Sequence, residues 1–363
     1  MWNECFNEEY LLKLLGRETV SVPETGAEAL ICGKTVLVTG GSGFIGSEIC
    51  RKVAAYGPKK LVIVDIYENN AYMLQQELLL EYGADFPIEV YITSVCDRVL
   101  LGKIFSEENP DTVIHSAAHK HVPLMEKVPQ EAVKNNVFGT LNTIKLSVKH
   151  GVETFVLVST DKAVNPTSVM GATKRICEMI TQKYAENSAK TRFSAVRFGN
   201  VIGSSGSVVP LFRQQIKRGV VTVSHPEIYR YFMTVSEAAQ LVLSAATLAN
   251  GGEIFVLDMG EPVNIANLAR KMIELEGLEE GKNVELQYTD LRPGEKLYEE
   301  LLLSQEGLKR TSNRKIFVGE PVPLDGAAFE KHLENLRIAV KTNATDSEIL
   351  ALLKEIVPEY RRL

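Results

Sequence analysis

The 363-residue chain has no run of about 18 consecutive apolar residues, the length a helix needs to cross a bilayer, and no secretory signal pattern. A membrane span in this chain is therefore not expected, and a soluble, cytoplasmic protein is. Paired cysteines are missing too. Cys5, Cys32, Cys50, Cys96 and Cys177 lie far apart with no C-x-x-C, which speaks against a disulfide framework and leaves free or buried thiols in a reducing compartment. There is no basic excess: 40 Lys+Arg stand against 46 Asp+Glu, a net charge of −6, so neither nucleic acid nor an anionic membrane is expected as a partner. Internal repeats and low-complexity tracts are absent. His115, His119 and His121 are close in sequence but lack carboxylate or thiolate partners at ligand spacing, so no metal is expected. What is present is 45% hydrophobic and 24% charged, ordinary for a globular protein. The length suits one large α/β domain with a smaller lobe.

Short apolar runs alternate with helical patterns through the first half. Thr35–Thr39, Leu61–Asp65, Ile88–Ile92, Thr112–His115, Thr154–Val158 and Phe193–Arg197 read as strands. Helices are expected at Phe44–Ala55, Ala71–Tyr82, Val99–Phe105, most of Pro123–His150, and Val169–Asn187. Strands alternating with helices predict an α/β fold, a doubly wound parallel sheet that binds ligands at the carboxyl ends of its strands. After Gly199 the alternation loosens, with helices expected at Ser236–Leu248, Ile265–Leu275, Ala327–Arg337 and Asp346–Ile356. The chain thus divides into a leader (1–33, with an amphipathic helix around Tyr10–Leu15 and a loop over Val20–Gly26), a nucleotide domain (34–199), a substrate lobe (200–310) and a helical tail (311–363).

Between the first strand and the first helix of the nucleotide domain stands T-G-G-S-G-F-I-G, with glycines at 40, 43 and 46. A triplet so placed lets the backbone turn tightly and approach a pyrophosphate, whose charge then sits at the helix N-terminus. This is the Rossmann pattern. Asp65 ends the second strand, 19 residues past Gly46. A carboxylate there accepts from a ribose 2′-hydroxyl and repels a 2′-phosphate, which favours NAD over NADP. Asp97, after the third strand, fits either an adenine amino group or a helix N-cap.

The segment Ser159–Lys174, STDKAVNPTSVMGATK, follows the fifth strand and sets an acid beside a base, Asp161 and Lys162. With the glycine triplet, its Thr160 and Lys174 resemble the extended short-chain dehydrogenase/reductase superfamily. There a Tyr-x-x-x-Lys is the rule, and here the tyrosine position reads Met170. Five segments narrow the match: HSAAHKHVPLMEKVPQEAVKNNVFGTLNT (115–143), STDKAVNPTSVMGATKRICEMI (159–180), RFGNVIGSSGSVVPLF (197–212), RYFMTVSEAAQLV (230–242) and LRPGEKLYEELL (291–302). In this order they resemble the polysaccharide-biosynthesis branch, whose members are UDP-N-acetylglucosamine 4,6-dehydratases. Many members carry an N-terminal membrane region, and LLGRETVSV resembles the linker before their catalytic domain.

The resemblance implies an NAD-dependent lyase that oxidises C4 of a UDP-sugar, eliminates water across C5–C6 and returns the hydride to C6. It makes Asp161 the acid for the C6 hydroxyl and Lys162 the base at C5. Burial is expected to raise the pKa of Asp161, and the charge of Lys174 and of the nicotinamide to lower that of Lys162. Thr160 would bind the 4-hydroxyl and Lys174 the nicotinamide ribose. Methionine at 170 resembles the subgroup that retains configuration at C5, and a thioether cannot accept the C4 hydroxyl proton. Phe44, Ile45 and Ala117 would complete the cofactor site, and Lys120 and His121 would face the substrate. Asn200 with the Ser204–Ser207 loop resembles a diphosphate cradle. Arg292 and Glu295 resemble a uridine clamp, with Arg230 a second phosphate ligand. The helices in 123–150 and 169–187 resemble the superfamily's dimer surface, so a homo-oligomer is expected. Two alternatives stay open: a 4-epimerase on the same fold, which has no use for an acid–base pair at C5–C6, and a C5-inverting dehydratase.

Overall fold

Runs such as TVLVT and TFVLV, β-branched and apolar at every position, form strands that must be covered on both faces. A computed structural model describes residues 7–18, 26–301, 307–319 and 324–362. Its main sheet contains β1 (Thr35–Thr39), β2 (Lys60–Asp65), β3 (Ile88–Ile92), β4 (Thr112–His115), β5 (Thr154–Val158), β6 (Arg192–Arg197), β7 (Glu253–Leu257), β8 (Leu308–Arg310) and β9 (Ile316–Gly319). Among the described residues their order is β8-β9-β7-β6-β5-β4-β1-β2-β3. From β7 to β3 every neighbouring pair is parallel, and β8 and β9 add an antiparallel edge. Register pairs Val38 with Ile63 on one side and Ile114 on the other.

Alternation along the strands sorts the core into two layers. Val36, Val38, Ile63, Ile114 and Val156 pack with the Phe44–Ala55 and Val235–Leu248 helices. Leu37, Val62, Val64, Val113 and Phe155 face the Arg98–Glu108, Gly139–His150 and Val169–Glu186 helices. The sheet is thus doubly wound. The order reverses between β1 and β4, which opens the crevice where such folds take ligands.

A smaller lobe has its own core. Helices Val208–Ile216 and Ile265–Leu275 pack there with strand Val220–Val223, which pairs in parallel with Glu285–Tyr288. The chain leaves this lobe to supply Val235–Leu248 and β7 to the main sheet, so residues 200–310 serve both units. The leader is built in as well. Leu11 and Leu14 of the Glu8–Leu15 helix are buried in the lobe core, and Ala27, Leu30 and Ile31 in the main one. The loop expected over Val20–Gly26 lies, up to Thr25, outside the described residues.

The helices expected to form a dimer surface are partly covered by the chain itself. Helices Gly326–Lys341 and Asp346–Ile356 bury Phe329, Leu333, Leu336, Ile349 and Leu353 in one cluster with Val133, Leu141, Ile176 and Ile180. The Val169–Glu186 helix is consequently buried nearly all round through Gln182, while Leu124, Val128 and Val148 in the other expected stretch are exposed.

Candidate active site

The glycine turn is closed so tightly that side chains are excluded. Gly40 has φ 64°, and a Cβ there would lie 2.7 Å from the backbone N of Ala117. A Cβ on Gly46 would run into the carbonyl of Gly40. The turn from β1 therefore lies against the end of β4, at the switch point. Phe44 and Ile45 open the following helix, whose N-cap, Gly43, provides no side-chain cap, so the first-turn N–H groups are left for an anion. Asp65, at the end of β2, accepts from the Ser42 N–H at 2.9 Å and the Tyr67 N–H at 3.0 Å. Its carboxylate is thus fixed beside the turn, where the ribose of a dinucleotide would lie. Asp97 is an exposed helix N-cap: one oxygen accepts from Val99 and Leu100 N–H.

Across the crevice, β5 delivers the acid–base pair. Ser159-Thr160 leads into a 3-10 turn, Asp161–Ala163, with Thr160 as its N-cap. Asp161 is fully buried. Its Oδ1 accepts from the Thr160 hydroxyl at 2.9 Å and from Lys162 Nζ at 3.0 Å, while Oδ2 is buried with no partner. Burial pushes the Asp161 carboxyl up; Lys162 opposes that shift and a nearby glutamate, Glu299, adds to it. The expectation for Asp161 holds in direction.

For Lys162 it does not. Burial works to lower its pKa, but Asp161 and Glu299 outweigh burial and the charge of Arg230, and the amine is raised. Its Nζ donates to Asn200 Oδ1 at 3.2 Å and lies 3.3 Å from Glu299 Oε1. Lys174, expected to act on it, points elsewhere: its Nζ is buried, donates to the Val158 carbonyl at 2.7 Å, and is lowered by burial. Met170 is 4% exposed and packs in the apolar cluster under the sheet, where it offers no polar side-chain atom beyond sulfur.

The lobe closes the other side. Strand Asn200–Val201 pairs with Phe232–Met233, which places Asn200 over Lys162. Ser207 caps the Val208–Ile216 helix without a side-chain cap bond, and its hydroxyl is buried and unpartnered. Ser204 is buried in the same loop, and the His121 ring lies against Gly206. Arg230 is 6% exposed and lies 3.6 Å from Glu295 and 3.8 Å from Glu299. Glu295 also accepts the Arg292 N–H at 3.1 Å, and the Arg292 and Lys120 side chains are exposed. The three histidines serve different places. His115 bonds Thr39 and Thr140, and burial, helped by Lys174, lowers it to about 3, so it is neutral. His119 lies 3.4 Å from Glu131.

Sequence reasoning missed three features. Glu299 is one. Another is a buried cluster beneath the pair: Glu178 accepts from Arg197 at 2.7 and 2.6 Å, from Arg175 at 3.2 Å and from the Ser159 hydroxyl at 2.6 Å. Asn136 was passed over as well. Lying in a π-helical stretch, Val133–Phe138, it bonds both the N–H and the carbonyl of His119 and so fixes the loop after β4.

A parallel sheet with a side-chain-free turn at its switch point and an acid–base pair after the fifth strand defines a Rossmann-type protein of the short-chain dehydrogenase/reductase superfamily. The chain belongs to the family described as polysaccharide biosynthesis protein, which matches residues 36–321. It is 49% identical over 308 residues to the capsular polysaccharide biosynthesis protein CapD of Staphylococcus aureus, covering 85% of this chain and 51% of that protein. The chain thus spans about half the length of this relative. A Campylobacter jejuni protein named UDP-N-acetylglucosamine 4,6-dehydratase (inverting) is 32% identical over 286 residues, 76% of this chain and 79% of its own. The X-ray structure of Pen from Bacillus thuringiensis superposes with a TM-score of 0.75 at 36% identity, covering 82% of this chain and 90% of its own. Relatives at about this distance include both dehydratases and 4-epimerases of nucleotide sugars.

Proposed function

We propose that the chain is an NAD-dependent UDP-N-acetylglucosamine 4,6-dehydratase that yields a UDP-4-keto-6-deoxy-N-acetylhexosamine with C5 configuration retained. The observation that carries this is the Asp161–Lys162 pair: an acid whose pKa burial raises, in contact with an amine, opposite a nucleotide cradle. Elimination across C5–C6 requires such a pair, whereas hydride return to C4 in an epimerase does not. Gly40, Gly43 and Gly46 with Asp65, Ala117 and Lys174 would hold the dinucleotide. When bound, NAD supplies reversible hydride acceptance at the sugar.

Thr160 orients the 4-hydroxyl. With C4 as a ketone, the C5 proton is acidic and Lys162, once neutral, removes it. Asp161 then protonates the departing C6 hydroxyl, which leaves as water, and the proton released by the 4-hydroxyl replaces the one Asp161 has spent. Return of the hydride to C6 and of a proton from the Lys162 ammonium to C5 gives the 4-keto-6-deoxy product. The Lys162 amine lies between Asp161 and Glu299, which raise its pKa, so its deprotonation precedes the elimination. The unpartnered Ser207 hydroxyl at a helix N-terminus, with Arg230 and Arg292, supports a diphosphate ligand. Asp65 favours NAD over NADP. The homo-oligomer stays a proposal, through a face other than the covered Val169–Glu186 helix; one monomeric mass by light scattering at micromolar concentration would refute it.

Incubation with UDP-N-acetylglucosamine in deuterated water, followed by NMR, tests the reading. A 4-keto-6-deoxy product with deuterium at C5 is expected. A C4 epimer alone would overturn the dehydratase, and a fresh L-arabino product, read from proton couplings, would overturn retention.

A further inference from the structure

Lys162 is held from two sides, and only one of its acidic neighbours belongs to the motif that carries it. The second, Glu299, comes from the Leu291–Leu301 segment of the lobe and is 7% exposed. Its Oε1 lies 3.3 Å from Lys162 Nζ and 3.8 Å from Arg230 Nε, and its Oε2 is buried with no hydrogen-bond partner. A glutamate without a task would not be left there, because a buried, half-satisfied carboxylate costs stability unless it is ionised and paired. The cations facing it account for its ionisation. Burial would raise its pKa, but Lys162, Arg230 and Lys296 together lower it. Around Lys162 the charged groups are Asp161, Glu299 and Arg230.

We propose that Glu299 is a positioning residue of the acid–base pair: it fixes where the Lys162 amine points and decides which carboxyl of the site carries the proton. The inference rests on the dehydratase reading above. Asp161 and Glu299 share one amine, and their environments push the two carboxyls in opposite directions. Glu299 lies nearer the cations Arg230 and Lys296 and takes the charge. Asp161, buried against Thr160 and Gly199 with its Oδ2 unpartnered, is the carboxyl that burial raises, which suits it to donate the proton that elimination needs. The carboxylate of Glu299 also ties Lys162 to Arg230, so the lobe residue that would meet a substrate diphosphate and the base at C5 share one oxygen.

Glu299→Gln keeps the shape and removes the charge. With the negative neighbour gone, both Lys162 and Asp161 should lose their protons at lower pH. The bell of kcat/KM against pH should then move toward acid by about one unit or more, the effect of a charge within contact distance. Glu299→Asp should restore much of the parent profile, and equilibrium binding of NAD and of UDP should stay near the parent's. An unmoved bell, or loss of UDP binding in proportion to kcat/KM, would overturn the proposal and mark Glu299 as structural or as a simple ligand. If the parent shows no dehydratase turnover, that failure belongs to the proposed function. The role of Glu299 is then decided by the Lys162 titration itself, followed by NMR of 13Cε-lysine with the signal assigned through Lys162→Arg. A titration shifted to lower pH in Glu299→Gln supports the role, and an unshifted one overturns it.

Discussion

Glu178→Gln is the sharpest single test of how the site is supported. Glu178 and Arg197 are both fully buried, and their two side chains meet through two parallel hydrogen bonds of 2.7 and 2.6 Å. Arg175 and Ser159 occupy the rest of the carboxylate. Glutamine has the same shape but turns a donor toward guanidinium donors and removes the negative charge facing Arg197, which cannot lose its proton. Breaking a buried pair from one side costs about 3–5 kcal/mol. The exposed pair Arg270–Glu280 is a control, with 41% and 39% of the side chains exposed, where Glu280→Gln should cost no more than about 1 kcal/mol. Urea unfolding at pH 7 should show the first difference as a lower midpoint at unchanged slope. Replacing both partners, Glu178→Leu with Arg197→Met, should recover part of the loss. The pH dependence has a definite sign. Burial would raise the Glu178 carboxyl, but Arg197 and Arg175 lower it overall. Its contribution is therefore complete above the unfolded carboxylate value, about 4.3, and is lost as pH falls toward the folded value. The gap between parent and Glu178→Gln should narrow on acidification below that point. A gap under about 1 kcal/mol at pH 7, or one indifferent to acid, refutes the argument.

Three further outcomes are expected. Lys162→Ala and Asp161→Asn should each lower turnover roughly 10²–10⁴-fold while NAD and UDP binding, measured by calorimetry, stay near normal; more than about a tenth of parent activity in either would break the role assignment. Met170→Tyr should bind NAD with turnover equal to or below the parent's, because a phenol placed in this apolar cluster must find a partner for its hydroxyl; a much faster variant would show that tyrosine is the better proton acceptor here. Gly46→Ala should abolish retention of NAD on purification, since its Cβ would strike the Gly40 carbonyl; normal retention would mean the turn does not hold the dinucleotide.

Most of the sheet was legible because its signals are local. Each of the first five strands is a short, mostly apolar run followed by a turn and a helix, and the glycine triplet marks its own place. β7 was not read: EIFVL is as apolar as the others but follows a long excursion, so nothing nearby ties it to β6. The tail helices were expected, but not what they cover, since an amphipathic stripe on Gly326–Lys341 does not say which face it meets. In the site, Asp161 and Lys162 stand out as neighbours in sequence. Glu299 stands in the quoted segment LRPGEKLYEELL, yet it reaches Lys162 across 137 residues through the placement of the lobe. Glu178 and Arg197 fall in two different motifs, and only tertiary packing shows them to be one pair.

The misjudged sign at Lys162 has a physical lesson. From sequence, the cations nearby were visible and the second carboxylate was not, so the amine was expected to lose its proton easily. With Glu299 in place the amine lies between two acids, and its pKa is raised instead of lowered. Such an arrangement keeps the base idle until something changes its surroundings. Arg230, which would meet a substrate diphosphate, also reaches Glu299. The tail contributes to the same restraint: Arg361 N–H donates to the Pro166 carbonyl, and Arg362 binds Glu126, which accepts the Val169 N–H. The loop between the acid–base turn and the Val169–Glu186 helix is therefore clamped by residues at the far end of the chain.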